Sequence, residues 1–136
     1  MEILSDIQFQ ARLLRTVIPA LLAVLFLQSG LDKVFDYRGN LSWMTEHFSK
    51  TILRGVVPVS LVAITILELA SATLCAVGAL SVLAGNSVAP AFWGMLLSAV
   101  TLLALFAGQR IAKDYAGAAS IALYVGLAVL GMLALH

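Results

Sequence analysis

The segment Gly30–Arg54, GLDKVFDYRGNLSWMTEHFSKTILR, decides the fold because it interrupts a sequence that is otherwise strongly apolar. It holds seven charged residues, of a total made up of 8 Lys or Arg and 7 Asp or Glu. On both sides the chain is apolar over long distances. Hydrocarbon tolerates few charges and the membrane interface collects them. The segment is therefore predicted to form the polar surface of a small bundle of transmembrane helices.

The composition indicates an integral membrane protein. Hydrophobic residues make up 62% of the 136 residues and charged residues only 11%, with a mean hydropathy of +1.04. A soluble domain has about 25% charged residues. We therefore expect one integral membrane domain over residues 1–136. The net charge of +1 and the lack of a basic stripe argue against a nucleic-acid partner.

Four apolar segments predict an all-α bundle of four transmembrane helices. Each is long enough to cross a hydrocarbon core of about 30 Å. Pro19, Pro58 and Pro90 are each placed in the first turn of a span, where the missing N–H costs little. The predicted spans are 13–36, 56–84, 90–109 and 114–135.

Between the first two spans, the sequence predicts a short amphipathic helix over residues 41–52 that lies on the membrane surface. Gly39-Asn40 is predicted to break the chain before it, with Asn40 as its N-cap. Trp43 is interpreted as an interfacial anchor. Residues 1–15 are predicted to form a helix at the interface that runs into the first span.

Four spans place both termini on one side of the membrane, here called the terminus side. The opposite, linker side carries the segment between spans one and two and the turn between spans three and four. Six Lys and Arg residues are assigned to the linker side, whereas the terminus side has only Arg12 and Arg15. The positive-inside rule therefore favours a cytoplasmic linker side.

Glu68 is the main candidate functional residue because it lies ten residues past Pro58, about 15 Å along the helix and near the membrane midplane. An ionised carboxylate costs a few kcal/mol there, and desolvation favours its neutral form. No Lys or Arg is expected at this depth. Glu68 is therefore predicted to be buried, largely protonated, and hydrogen-bonded to a hydroxyl such as Ser98 or Thr101 rather than paired with a cation. A proton- or quinone-linked role and a structural hydrogen bond both remain open.

The helix face that carries Glu68 is lined by small residues, which allow a neighbouring helix to approach closely in lipid. These residues are Ser71, Ala72, Cys75, Gly78 and Ala79. We interpret Cys75 as one of these packing residues. As the single cysteine, it excludes an intramolecular disulfide and a CxxC redox pair.

Three further polar residues are candidates for a polar cavity or quinone site around Glu68: Gln28, Lys33 and Arg110. On the linker side, Asp32 and Lys33 could also meet the 110–114 segment in a salt-bridge network, or all of these groups could be solvated. His47 and His136 are peripheral. No haem, iron–sulfur cluster or metal is therefore expected on this chain.

Several short motifs resemble the DoxX family of small bacterial membrane proteins. They are the arginine before span one (Arg12 or Arg15), FLQSGLDKVFDY at Phe26–Tyr37, the Glu68 face ending at Gly78, and GQRIAKDYAGA at Gly108–Ala118. The resemblance covers nearly the whole chain and implies four spans in the bacterial cytoplasmic membrane. Some relatives are subunits of thiosulfate:quinone oxidoreductase, and others associate with membrane-bound thiol and superoxide defence complexes.

The resemblance implies an accessory subunit of a quinone-linked oxidoreductase or another membrane redox complex, with quinone as the candidate cofactor. The alternative is a non-catalytic scaffold that packs against a larger complex through its small-residue faces. A third hypothesis is a proton or small-solute path through Glu68. The expected partners are membrane lipid and either other membrane-protein subunits or further copies of this chain.

Overall fold

The computed structural model describes residues 2–136, and Met1 lies outside the described residues. Within this range the chain forms five helices: α1 (Glu2–Phe35), α2 (Tyr37–His47), α3 (Val57–Leu83), α4 (Ala89–Ile111) and α5 (Tyr115–Leu133). All except α2 are long and apolar enough to cross a membrane. The predicted all-α bundle of four transmembrane helices, with a short helix between the first two, is confirmed.

The four spans pack in the order α1, α3, α4, α5, and α5 also touches α1. This last contact lies on the terminus side, where Gly131 of α5 packs against Ile18 of α1. The buried core is mostly apolar and includes Leu22, Phe26, Met95, Leu102 and Ala128. Each span therefore keeps one face inside the bundle and leaves the rest for lipid or a partner.

α1 is a single helix of 34 residues and begins well before the predicted residue 13. At 1.5 Å per residue it is about 51 Å long, so it exceeds the thickness of the hydrocarbon core by about 20 Å. The predicted N-terminal interfacial helix and the first span are thus continuous. Pro19 was predicted to lie in the first turn of the span but lies in the middle of α1. Its ring is buried in the bundle.

α2 begins earlier than predicted because Asp36, not Asn40, caps it. The Asp36 carboxylate accepts a hydrogen bond of 3.3 Å from the backbone N–H of Gly39. The side chain of Asn40 instead donates to the Asp36 carbonyl at 2.9 Å and to Oδ2 of Asp32 at 3.2 Å. The predicted break at Gly39-Asn40 is therefore wrong, since both residues lie inside α2, which ends at His47 rather than residue 52.

α5 begins with the same capping arrangement as α2. The Asp114 carboxylate accepts a hydrogen bond of 3.0 Å from the N–H of Gly117. Both starts read Asp-Tyr-x-Gly, at residues 36–39 and 114–117. The carboxylate lies so close to each glycine that a Cβ there would collide with it. The glycine in each motif therefore makes room for the cap.

α3 and α4 approach each other closely because glycine stands at two points of their contact. A Cβ on Gly94 would lie 2.8 Å from the backbone nitrogen of Cys75, and a Cβ on Gly78 would overlap the backbone of Ala91. The observed bounds of both helices differ from the predicted ones by one or two residues. Pro58 and Pro90 occupy their first turns, as predicted.

We predict that Gly78→Ala destabilises the bundle although alanine is the better helix former. The new methyl group forces α3 away from the backbone of α4, and such overpacking costs about 1–3 kcal/mol. The free energy of unfolding, measured by titration with SDS in detergent micelles, should fall by that amount.

Gly126→Ala is the matched control for this substitution. No atom lies within 4 Å of a Cβ built on Gly126 in α5, so the added methyl group meets open space. The control should be neutral or stabilising by up to about 1 kcal/mol, the difference in helix propensity. Equal effects of the two substitutions would contradict the close contact of α3 with α4 at Gly78.

Candidate functional site

Close packing at Gly30 brings the end of α1 onto the middle of α3. Gly30 is buried, and a Cβ there would lie 2.6 Å from Cδ2 of Leu69. This antiparallel contact places Lys33, near the end of α1, opposite Glu68. Residues 57–67 of α3 extend about 16 Å beyond this point, and α2 packs against α3.

Lys33 and Glu68 form an ion pair inside the bundle. The Lys33 Nζ lies 3.1 Å from Oε1 of Glu68 and donates a hydrogen bond of 3.3 Å to Oε2. A second hydrogen bond, of 2.8 Å, runs from Nζ to Oγ of Ser29 one turn earlier. The Glu68 side chain is 0% exposed and the Lys33 side chain 15%. Oε1 is close to the cation but accepts no hydrogen bond from the described residues.

The prediction that no cation reaches the depth of Glu68 is wrong. It placed Lys33 at the membrane interface, about ten residues away from Glu68. The structure shows instead that α1 ends level with the middle of α3, so the lysine stem has only a short distance to cover. The predicted burial of Glu68 between helices is confirmed.

The hydroxyl groups predicted as partners of Glu68 form contacts elsewhere. Thr101 lies 3.3 Å from the hydroxyl of Ser71, and Ser98 lies 3.4 Å from the thiol of Cys75. Ser98 and Thr101 also bond carbonyls of their own helix, at 2.7 and 2.8 Å. Because each hydroxyl has only one proton to donate, Ser71 and Cys75 act as the donors between the helices. These two pairs tie α3 to α4.

Two of the four predicted site residues lie apart from the ion pair. Gln28 faces outward from α1, although it was predicted to face protein. Arg110 is exposed at the end of α4, with its guanidinium carbon 4.5 Å from the centre of the Tyr115 ring. The ion pairs among the described residues join Lys33 to Glu68 and His47 to Asp114. Asp32 instead accepts a hydrogen bond from Asn40, so the possible salt-bridge network between Asp32, Lys33 and the 110–114 segment does not form.

His47, predicted to be peripheral, forms a cluster on the linker side that was not predicted from the sequence. Its ring stacks on Trp43 with centroids 4.4 Å apart, and Nε2 lies 2.8 Å from Oε1 of Gln109. Since an amide oxygen only accepts, Nε2 donates this hydrogen bond. Oδ2 of Asp114 lies 3.9 Å from Nε2. The cluster joins α2 to the last turn of α4 and to the capping residue of α5. The feature of the sequence that pointed to this cluster was the pair of Asp-Tyr-x-Gly motifs, since it places Asp114 at a helix start.

Comparison with known proteins does not assign a function to these residues. No protein-family model, curated protein or solved structure matches the chain.

We predict that Lys33→Met strongly destabilises the protein because it leaves the Glu68 carboxylate buried without a cation. Breaking one side of a buried ion pair costs about 3–5 kcal/mol. The loss should appear in the unfolding free energy in micelles. Lys50→Met, which removes an exposed lysine of the linker, is the matched control and should change stability by less than about 1 kcal/mol.

The double variant Lys33→Met, Glu68→Met separates the ion pair from simple packing. Replacing both partners with apolar side chains leaves no buried charge and should recover most of the lost stability. A double variant as unstable as Lys33→Met alone would show that the carboxylate is not what the lysine neutralises.

Proposed function

We propose that the protein is an accessory subunit of a larger membrane complex and packs against other membrane-protein subunits without catalysing a reaction itself. The observation that carries the proposal is the ion pair between Lys33 and Glu68. It uses the one deeply buried carboxylate among the described residues to hold α1 against α3. A carboxylate engaged in this way supports the bundle by joining two of its helices.

The other polar groups of the interior support the same function. Ser71, Cys75, Ser98 and Thr101 are each 0% exposed and bond one another or their own helices. A catalytic acid, base or nucleophile must come within hydrogen-bond reach of a substrate atom. None of these four side chains meets that condition in the closed bundle. The interior thus favours a structural role.

The resemblance to the DoxX family suggests what kind of complex this is. The FLQSGLDKVFDY motif contains Ser29, Gly30 and Lys33, which form the α1 side of the ion pair. The partner proposed on this resemblance is a quinone-linked or other redox complex of the bacterial cytoplasmic membrane. The motif would then be a packing element of the subunit.

We predict different effects for two substitutions of Glu68 on the complex that copurifies from native membranes in mild detergent. Glu68→Gln keeps an oxygen that accepts from Lys33, so most of the partner subunits should be retained. Glu68→Leu removes that acceptor and leaves the cation unpaired, so assembly should fail. Quantitative mass spectrometry of the copurified subunits gives the comparison.

A different outcome would favour a proton-linked role. If Glu68→Gln assembles normally but abolishes quinone turnover by the copurified complex, then titration of the carboxyl group matters, and the structural proposal is wrong. If only copies of this chain copurify with the wild type, the protein is a homo-oligomer rather than a subunit of a mixed complex.

Quinone binding is a second candidate function, favoured by an apolar groove on the linker side. The groove has a volume of about 460 Å³. It is lined by Tyr37, Pro58, Val59, Val62, Ala63 and Ile66. A quinone needs an apolar channel for its tail and a hydrogen-bond donor for its ring oxygens, and the Tyr37 hydroxyl is such a donor. The predicted quinone residues Gln28, Lys33, Glu68 and Arg110 do not line this groove.

We predict that Tyr37→Phe lowers the quinone content of the purified protein, measured by solvent extraction and chromatography, if the groove holds a quinone head group. Tyr115→Phe is the matched control because Tyr115 follows its capping aspartate just as Tyr37 does, but at the start of α5. Equal quinone content in wild type and both variants would rule out a head group at Tyr37.

A further inference from the structure

We propose that a groove on the terminus side binds the head group of an anionic phospholipid, with Arg12 and Arg15 holding its phosphate. The groove lies between α1 and the turn that joins α3 to α4, and its volume is about 500 Å³. It is lined by Ile7, Gln8, Ala11, Arg12, Arg15 and Gly85.

The two arginines lie on one face of α1 because they are three residues apart. The Arg12 guanidinium packs against Gly85, where a Cβ would lie 2.7 Å from Nη1. Gly85 has a φ of +78°, a backbone conformation that side chains with a Cβ rarely adopt. The turn therefore leaves Arg12 space beside its backbone.

Both guanidinium groups lack an acidic partner among the described residues. Neither forms a salt bridge there, and the turn of residues 84–88 contains no Asp or Glu. Arg15 uses only its Nε, which donates a hydrogen bond of 2.9 Å to the carbonyl of Ala134, so its terminal nitrogens remain available. Two guanidinium forks without a carboxylate suit a phosphate, which they bind through parallel N–H···O bonds.

The position of the groove favours a lipid over a soluble anion. Arg12 lies against the turn just past the end of α3, and Arg15 bonds the residue just past the end of α5. The ends of spans lie at the depth of the lipid head groups. Ile7 and Ala11 give the same groove an apolar wall. Because the lining residues include two cations and no acid, a head group with net negative charge fits better than a zwitterionic one.

The experiment uses the full chain in detergent and measures lipid binding by native mass spectrometry. Wild-type protein should retain phosphatidylglycerol in preference to phosphatidylcholine. Arg12→Gln should weaken phosphatidylglycerol binding about tenfold, the size expected for loss of a charge-assisted contact. Arg54→Gln, which removes an exposed arginine on the linker side, is the matched control and should bind like wild type. Equal losses of phosphatidylglycerol binding in the two variants would show that binding depends only on the net charge of the protein, and would overturn the proposal.

Two further measurements keep the test decisive if Arg12→Gln folds poorly. Arg12→Lys keeps the charge but removes the planar fork, so it should also weaken binding, and wild-type affinity in this variant would overturn the role of the guanidinium. Millimolar inorganic phosphate added to the wild-type protein should leave bound phosphatidylglycerol in place. Displacement of the lipid by phosphate alone would show a site for a soluble anion instead.

Discussion

The ion pair between Lys33 and Glu68 is the interaction on which the arrangement of α1 and α3 depends. Removing a carboxylate from water is costly, so its cation and its neighbouring helix must be in place together. Gly30 allows the two backbones to approach, and Ser29 supplies a further acceptor for the ammonium group. The close packing at Gly30 sets the register in which α1 ends level with the middle of α3.

α3 makes the two most extensive helix contacts of the bundle, with α1 and α4, and small residues stand at both. α1 meets it through Gly30, and α4 meets it through Gly78 and Gly94. Close approach gives van der Waals contact in a solvent where the hydrophobic effect does not drive helices together. The hydroxyl and thiol pairs between α3 and α4 then satisfy their polar atoms within the protein, which leaves none of them to face lipid.

The two ends of the bundle differ in their chemistry. The linker side is closed by capped helix starts and by the His47 cluster, in which nearby acidic and amide groups engage the histidine ring. On the terminus side, Arg12 and Arg15 line a groove, and neither has an acidic partner among residues 2–136. Unpaired cations at the terminus side favour binding of an anionic head group there, whereas the paired groups of the interior favour a structural role.

The membrane class, the number of spans and the burial of Glu68 could be predicted from the sequence, because they depend on hydrophobic run length and on the cost of charge in hydrocarbon. The Asp36 cap could also have been predicted from the sequence, since Asp-Tyr-x-Gly occurs twice. The partner of Glu68 was decided only by the tertiary structure. Position along one helix does not reveal how far a neighbouring helix is shifted, and the shift of α1 against α3 comes from close packing at Gly30.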